Sequence, residues 1–166
     1  METALMVQEN YKVLVVCMGN ICRSPTAEAV LKAKVKARGL AISVDSAGTI
    51  SFHQGSPPDV RSRTAGEARG YSFAGIKSRK VTLRDFEDFD LILAADNSNL
   101  DDLIAVCPPQ YHSKIALYLR YGSSNIFEIP DPYYGGLNGF ENVLDLIEDA
   151  TDALLESLQK DKKINR

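Results

Sequence analysis

Apolar positions along the chain follow two rhythms. Residues 11–17 contain the unbroken run Val13-Leu14-Val15-Val16, and residues 90–95 repeat it as Asp-Leu-Ile-Leu-Ala-Ala. A short continuous run suits a strand covered on both faces, the usual state in a parallel sheet. Residues 42–46 and 115–119 are two further strand candidates. Between the runs the spacing becomes helical. Ser24 is a good N-cap and Pro25 fits the first helical position, where its missing N–H costs nothing. Ala27, Val30, Leu31 and Val35 then recur on one face, and Gly39 is a plausible stop. Pro57-Pro58-Asp59 opens a second helix ending near Gly70. Asp96-Asn97-Ser98 caps a third that runs to Cys107, where Pro108-Pro109 ends it. Phe140, Val143, Leu144, Ile147, Thr151, Leu154 and Leu158 form one stripe of a long amphipathic helix.

Strands alternating with helices predict an α/β fold: a parallel sheet with helices on both faces, joined by right-handed crossovers. No linker or internal repeat divides the chain, so residues 11–160 are expected to form a single domain. Residues 1–10 would be a flexible N-terminal segment and 161–166 a charged, fraying tail. In such sheets ligands bind beyond the carboxyl ends of the strands. Cys17 ends the first strand, so attention falls on the loop after it.

Composition narrows the classes. The 166 residues are 45% hydrophobic and 25% charged, ordinary for a globular fold, and the net charge is −3. A nucleic-acid binder would carry a basic excess. Local positive charge can still attract an anionic substrate to an acidic protein. No run approaches the ~18 apolar residues of a membrane span, and the first ten residues lack the pattern of a secretory signal. Three cysteines without extracellular context point to a reducing, cytoplasmic compartment, where cysteines are more often catalytic than cross-linked.

Cys17-Met18-Gly19-Asn20-Ile21-Cys22-Arg23-Ser24 lies between the first strand and the first helix. A loop that turns back into a helix N-terminus aims successive N–H groups inward, a nest for an anion reinforced by the helix dipole. Gly19 and Asn20 tolerate the left-handed backbone such a loop needs. Arg23 offers a planar fork matched to two phosphoryl oxygens. The nest would also stabilise a thiolate at Cys17, aided by the Ser24 hydroxyl, and so activate the nucleophile without a separate base. A phosphate-ester reaction then needs an acid for the leaving oxygen. Asp131, stiffened by Pro132, is the best candidate, and the same group would serve as base toward the water that completes turnover.

These motifs, with Asp45-Ser46-Ala47-Gly48-Thr49, Pro57-Pro58-Asp59, Ser78-Arg79, Asp96 with Ser98-Asn99-Leu100, and Asp131-Pro132-Tyr133, lie in order across the chain. From Lys12 to about Leu158 the sequence resembles the low-molecular-weight protein tyrosine phosphatases. The resemblance implies a four-stranded parallel sheet with a phosphate-binding loop after the first strand. It further implies hydrolysis of phosphotyrosine and aryl phosphates through a phosphocysteine, with no metal or organic cofactor. The partners would be tyrosine-phosphorylated proteins and the product inorganic phosphate. Cys17 would be the nucleophile, Arg23 the phosphate ligand and Asp131 the general acid. Asn20 would brace the loop with Ser46, and Ser24 would donate to the thiolate. Met18, Gly19, Ile21 and Cys22 would line the substrate, with Phe52, Tyr133 and Tyr134 as aromatic walls. Phe52 and His53 fall in the variable rim of that family. The resemblance also supports a reversible Cys17–Cys22 disulfide under peroxide, the plainer alternative being a loop-packing thiol.

Other residues have plainer readings. Cys107 reads as a buried helix residue, and Lys77, Arg79 and Lys80 as a solvated face. Asp96 either caps its helix or organises the site, and the alternative to walls for Tyr133 and Tyr134 is phosphorylation sites. His53 and His112 lack metal-ligand spacing. Two other functions share the anion loop. Arsenate reduction needs further cysteines to relay a disulfide, and only Cys107 remains. A non-catalytic phosphotyrosine-binding module would have little use for Asp131. A nucleotide hydrolase is disfavoured because no Gly-Lys-Ser/Thr follows a glycine-rich turn.

Overall fold

The computed structural model describes residues 10–132 and 138–161. The sheet has four parallel strands in the order β2-β1-β3-β4, with β1 (Tyr11–Cys17) and β3 (Leu91–Ala94) inside and β2 (Ile42–Gly48) and β4 (Ile115–Leu117) at the edges. Val13 is opposite Val44 on one side and Leu91 on the other.

Alternation along the buried strands sorts their side chains between two cores. Val13, Val15 and Leu93 join Val30, Leu31, Leu144, Ile147 and Leu154, supplied by α1 (Arg23–Arg38) and α5 (Gly139–Lys160). Leu14, Val16, Ile92 and Ala94 face the other way, onto Phe86 and Leu103 of α3 (Leu83–Asp88) and α4 (Asn97–Val106). Each fully buried Val, Leu or Phe contributes roughly 1.5–3 kcal/mol relative to exposure. A short helix, α2 (Val60–Ala68), packs against α1 and α5. Among the described residues no helix is long and apolar enough to cross a membrane.

The expected α/β, four-stranded arrangement is present, with differences at the element ends. β2 runs two residues further than its apolar pattern, to Gly48, while β4 stops at Leu117. A 3-10 turn over Tyr118–Tyr121 follows, because buried Tyr118 turns its hydroxyl onto Thr151 at 2.5 Å. Gly39 closes α1 in the left-handed conformation, φ 64°. Ser24 is not the N-cap of α1: Cys22 holds that position without a side-chain cap bond, and Ser24 lies inside the first turn. Helix α3 was not foreseen. Its signal is the capping box, in which Asp85 reaches back to the Thr82 N–H at 2.7 Å. The expected segment at residues 1–10, apart from Asn10, the tail beyond Asp161, and Tyr133 and Tyr134 lie outside the described residues.

Candidate active site

The loop after β1 is held from outside by its own carbonyls. Cys17 O accepts from the Thr49 N–H at 3.0 Å, Met18 O from Ile50 at 3.2 Å and Ile21 O from Asp59 at 2.7 Å. Gly19 O accepts from the Ser78 hydroxyl at 2.9 Å. With the carbonyls drawn outward, the peptide dipoles turn their N–H ends toward the enclosed space. Asn20 supplies the turn, with φ 56°, and its own N–H donates to Cys17 Sγ at 3.3 Å. The packing leaves no room at Gly48, where an added Cβ would lie 2.6 Å from Met18 O.

Under the loop runs a buried polar chain. Cys17 Sγ is 3.1 Å from Ser24 Oγ. Asn20 Nδ2 donates to Ser24 Oγ at 2.8 Å and to Ser46 Oγ at 2.9 Å. Asn20, Ser24 and Ser46 are each no more than 1% exposed. Ser24 is therefore engaged at the sulfur and not at the helix terminus, which is why it fails as a cap.

Arg23 links the loop to two distant segments. Its Nη1 donates to Asp96 Oδ2 at 2.7 Å and to Ile129 O at 3.0 Å. The Ile129 N–H in turn donates to Ala95 O at 2.8 Å. The chain leading to Asp131 is thus pinned to the carboxyl end of β3. Asp96 fills both roles considered for it, since its Oδ1 also caps α4 through the Asn99 N–H at 2.8 Å.

Cys17, Met18, Gly19, Ile21, Cys22, Arg23, His53 and Asp131 line one cavity of about 310 Å³. All of the loop residues expected to line the substrate are therefore in one place with Asp131, although 108 positions separate Arg23 from it in sequence. Phe52 is placed differently. It is 83% exposed and touches His53 edge-on, and it is His53 that reaches the cavity wall. A larger hollow of about 420 Å³ on the α3–α4 side, lined by Thr49, Phe86 and Leu103 among others, has no cysteine in its wall, so size alone does not pick out the cavity at Cys17.

Arg79 overturns its reading as part of a solvated face. Its side chain is about three-quarters buried, with the guanidinium holding Asp85 at 2.9 Å and Asp45 at 3.1 Å. Its backbone N–H donates to Asn20 Oδ1 at 3.0 Å. Charge made it look exposed; Asp85, six residues on, was a local signal of its pairing. Cys107 is buried in the core on the α3–α4 face, where burial raises its thiol pKa although Lys114 partly offsets this. No disulfide joins Cys17, Cys22 or Cys107. Among the described residues no group of three or more His, Cys, Asp or Glu side chains is placed to hold a metal ion.

A cysteine and an arginine at the two ends of one anion loop, on the carboxyl edge of a parallel sheet, define an α/β protein built to hold an anion beside a thiol. The chain belongs to the low molecular weight phosphotyrosine protein phosphatase family, whose sequence profile matches residues 12–164. It is 46% identical to the Synechocystis protein slr0328, named for the same phosphatase class, across 90% of this chain and 98% of that one. A crystal structure of protein tyrosine phosphatase from Entamoeba histolytica superposes with a TM-score of 0.88 at 45% identity, covering 92% of this chain and 99% of that one. A Drosophila arginine phosphatase structure gives 0.81 at 38% identity, covering 88% and 96%.

Proposed function

We propose that this chain hydrolyses phosphotyrosine in proteins, and aryl phosphates, through a phosphocysteine on Cys17, releasing inorganic phosphate in the cytoplasm. The observation that carries the reading is the convergence of Cys17, Arg23 and Asp131 on one cavity. The phosphoryl group sits among the loop N–H groups. Among the described residues Arg23 gives Nη1 to Asp96 and Ile129 and keeps the Nε–Nη2 edge of its fork for two phosphoryl oxygens. Cys17 Sγ attacks phosphorus, the P–O bond to the aryl group breaks, and Asp131 gives its proton to the departing oxygen. Asp131 then takes a proton from water as that water displaces the thiolate from phosphorus. Charge developing on the equatorial oxygens is met by donors already in place, the largest contribution expected in a reaction of this kind.

Arsenate reduction is less well supported, because Cys107 lies in the core on the opposite face of the sheet from the α1–α5 cluster that contains Cys17. The purified protein should be assayed on phosphotyrosine, phosphoserine and phosphoarginine peptides and on p-nitrophenyl phosphate, with vanadate as inhibitor. The proposal expects turnover of phosphotyrosine above the other two peptides. Preference for phosphoarginine would reassign the substrate, and ligand binding without turnover by wild type would make the chain a binding module.

A further inference from the structure

Resting on the reading of Cys17 as nucleophile, we propose that Glu28 is a positioning residue that sets the direction of the hydrogen bond received by the sulfur. Glu28 lies on α1 and is 3% exposed, between buried Ala27 and Ala29. Its Oε1 accepts from Ser46 Oγ at 2.5 Å, and its Oε2 pairs with Lys32 Nζ at 2.5 Å. A buried carboxylate is expensive, and stability alone would be served as well by an apolar residue of that size.

Following the protons along the chain explains its use. The Arg79 N–H donates to Asn20 Oδ1, which locks the amide with its NH₂ toward the two serines. Ser46 and Ser24 therefore both accept from Asn20, and each has a single proton left to give. Glu28 takes the one from Ser46. The Ser24 proton has two acceptors within reach, Cys17 Sγ at 3.1 Å and Ala47 O at 3.5 Å, and the sulfur is nearer. Without an acceptor at position 28, the Ser46 proton turns toward Asn20 and competes with the amide for its place. Ser24 then loses the donor that holds its own proton on the sulfur, and the thiolate loses a hydrogen bond. The charged groups around this chain are Lys32 at Glu28, Arg79 with Asp45 and Asp85 beside Asn20, and Arg23, Asp96, His53 and Asp131 about the cavity.

Direction and charge oppose each other here. The negative charge of Glu28 acts against a thiolate, whereas the orientation it imposes favours one. Glu28→Gln keeps an acceptor and drops the charge; Glu28→Met keeps length and helix propensity and drops the acceptor. The rate of Cys17 alkylation by iodoacetamide, followed by peptide mass spectrometry across pH, reads the thiolate without any phosphatase substrate. The pH profile of kcat/KM reads it in turnover. Glu28→Met should move the acidic limb of both profiles up by about one pH unit, roughly tenfold less thiolate below the limb. Glu28→Gln should leave the limb at or slightly below its wild-type place. Ser46→Ala, which cuts the same chain without altering α1, should move it in the direction of Glu28→Met. An unmoved limb in Glu28→Met and Ser46→Ala, with wild-type Cys17 reactive at low pH, overturns the role of Glu28 and leaves the nucleophile intact. An equal upward shift in Glu28→Gln and Glu28→Met overturns it as well. Wild-type Cys17 alkylating like an ordinary exposed thiol would remove the nucleophile and this inference together.

Discussion

Two arginine regions in this molecule use the same side chain in opposite ways. Around Arg79 the fork is filled: Nε and Nη2 hold Asp45, Nη1 and Nη2 hold Asp85, and Nη1 also reaches Lys80 O. Burial would lower its pKa, but the two carboxylates outweigh burial and raise it. Around Arg23, among the described residues, the hydrogen bonds go from Nη1 to Asp96 and Ile129 O, and the side chain lines the cavity beside Cys17. A filled fork joins parts of a fold, whereas a half-filled one keeps directional donors ready for an anion. Stability and ligand binding should therefore separate between them.

The largest expected effect breaks the comparison at Arg23. Arg23→Lys keeps a positive charge near Asp96 but loses the two-pronged edge, so kcat/KM should fall by about 10³ with the melting temperature nearly unchanged. A loss below tenfold would make Arg23 structural like Arg79. Next comes Asp131, on the segment that Arg23 pins. Asp131→Ala should lower kcat/KM, which covers the steps through departure of the aryl group, by about 10²–10³ on phosphotyrosine and by less than about tenfold on p-nitrophenyl phosphate, because nitrophenolate leaves without a proton. Equal losses would remove Asp131 as the acid. Arg79→Leu should lose about 2 kcal/mol, less than a fully buried pair because Asp45 is half exposed, and lower the melting temperature by about 4–8 °C. Its kcat/KM should stay within about fivefold, since Asn20 is held by the backbone of residue 79 and not by its side chain.

The smallest effect lies at the other end of β1, away from both arginines. Tyr11 is pushed up to about 12 by burial, with help from Asp90. An unfolded tyrosine titrates near ~10, so between those values the unfolded chain has lost more protons and stability falls as pH rises. Tyr11→Phe should flatten this part of the alkaline limb in denaturation measured across pH, and an unchanged slope would place its origin elsewhere.

What could be read from the chain follows from how local each cause is. Four buried valine and leucine side chains in a row announce β1, and the Asp96 cap begins α4 as its side chain predicts. The loop was legible because its cause is consecutive: Gly19, Asn20 and Arg23 act within seven residues of Cys17. Pairings across the fold were legible only through the family resemblance, as for Asn20 with Ser46. Ser24 fails as the expected cap but does meet Cys17 as expected, whereas Glu28 carries no local signal, because its partner Ser46 comes from β2. Arg79 is concealed in the same way, since only folding delivers Asp45 from β2. His53 and Phe52 are neighbours on an irregular segment, where no periodicity tells which one faces the cavity.

The filled and half-filled arginines matter only if a phosphoryl group visits the sulfur. Protein mixed with p-nitrophenyl phosphate, quenched in acid within the first turnovers and digested, should yield the peptide bearing Cys17 heavier by one phosphoryl group, with no such product from Cys17→Ser. Steady turnover with Cys17 unmodified at every quench time, or with the phosphoryl group on another side chain, would contradict the account.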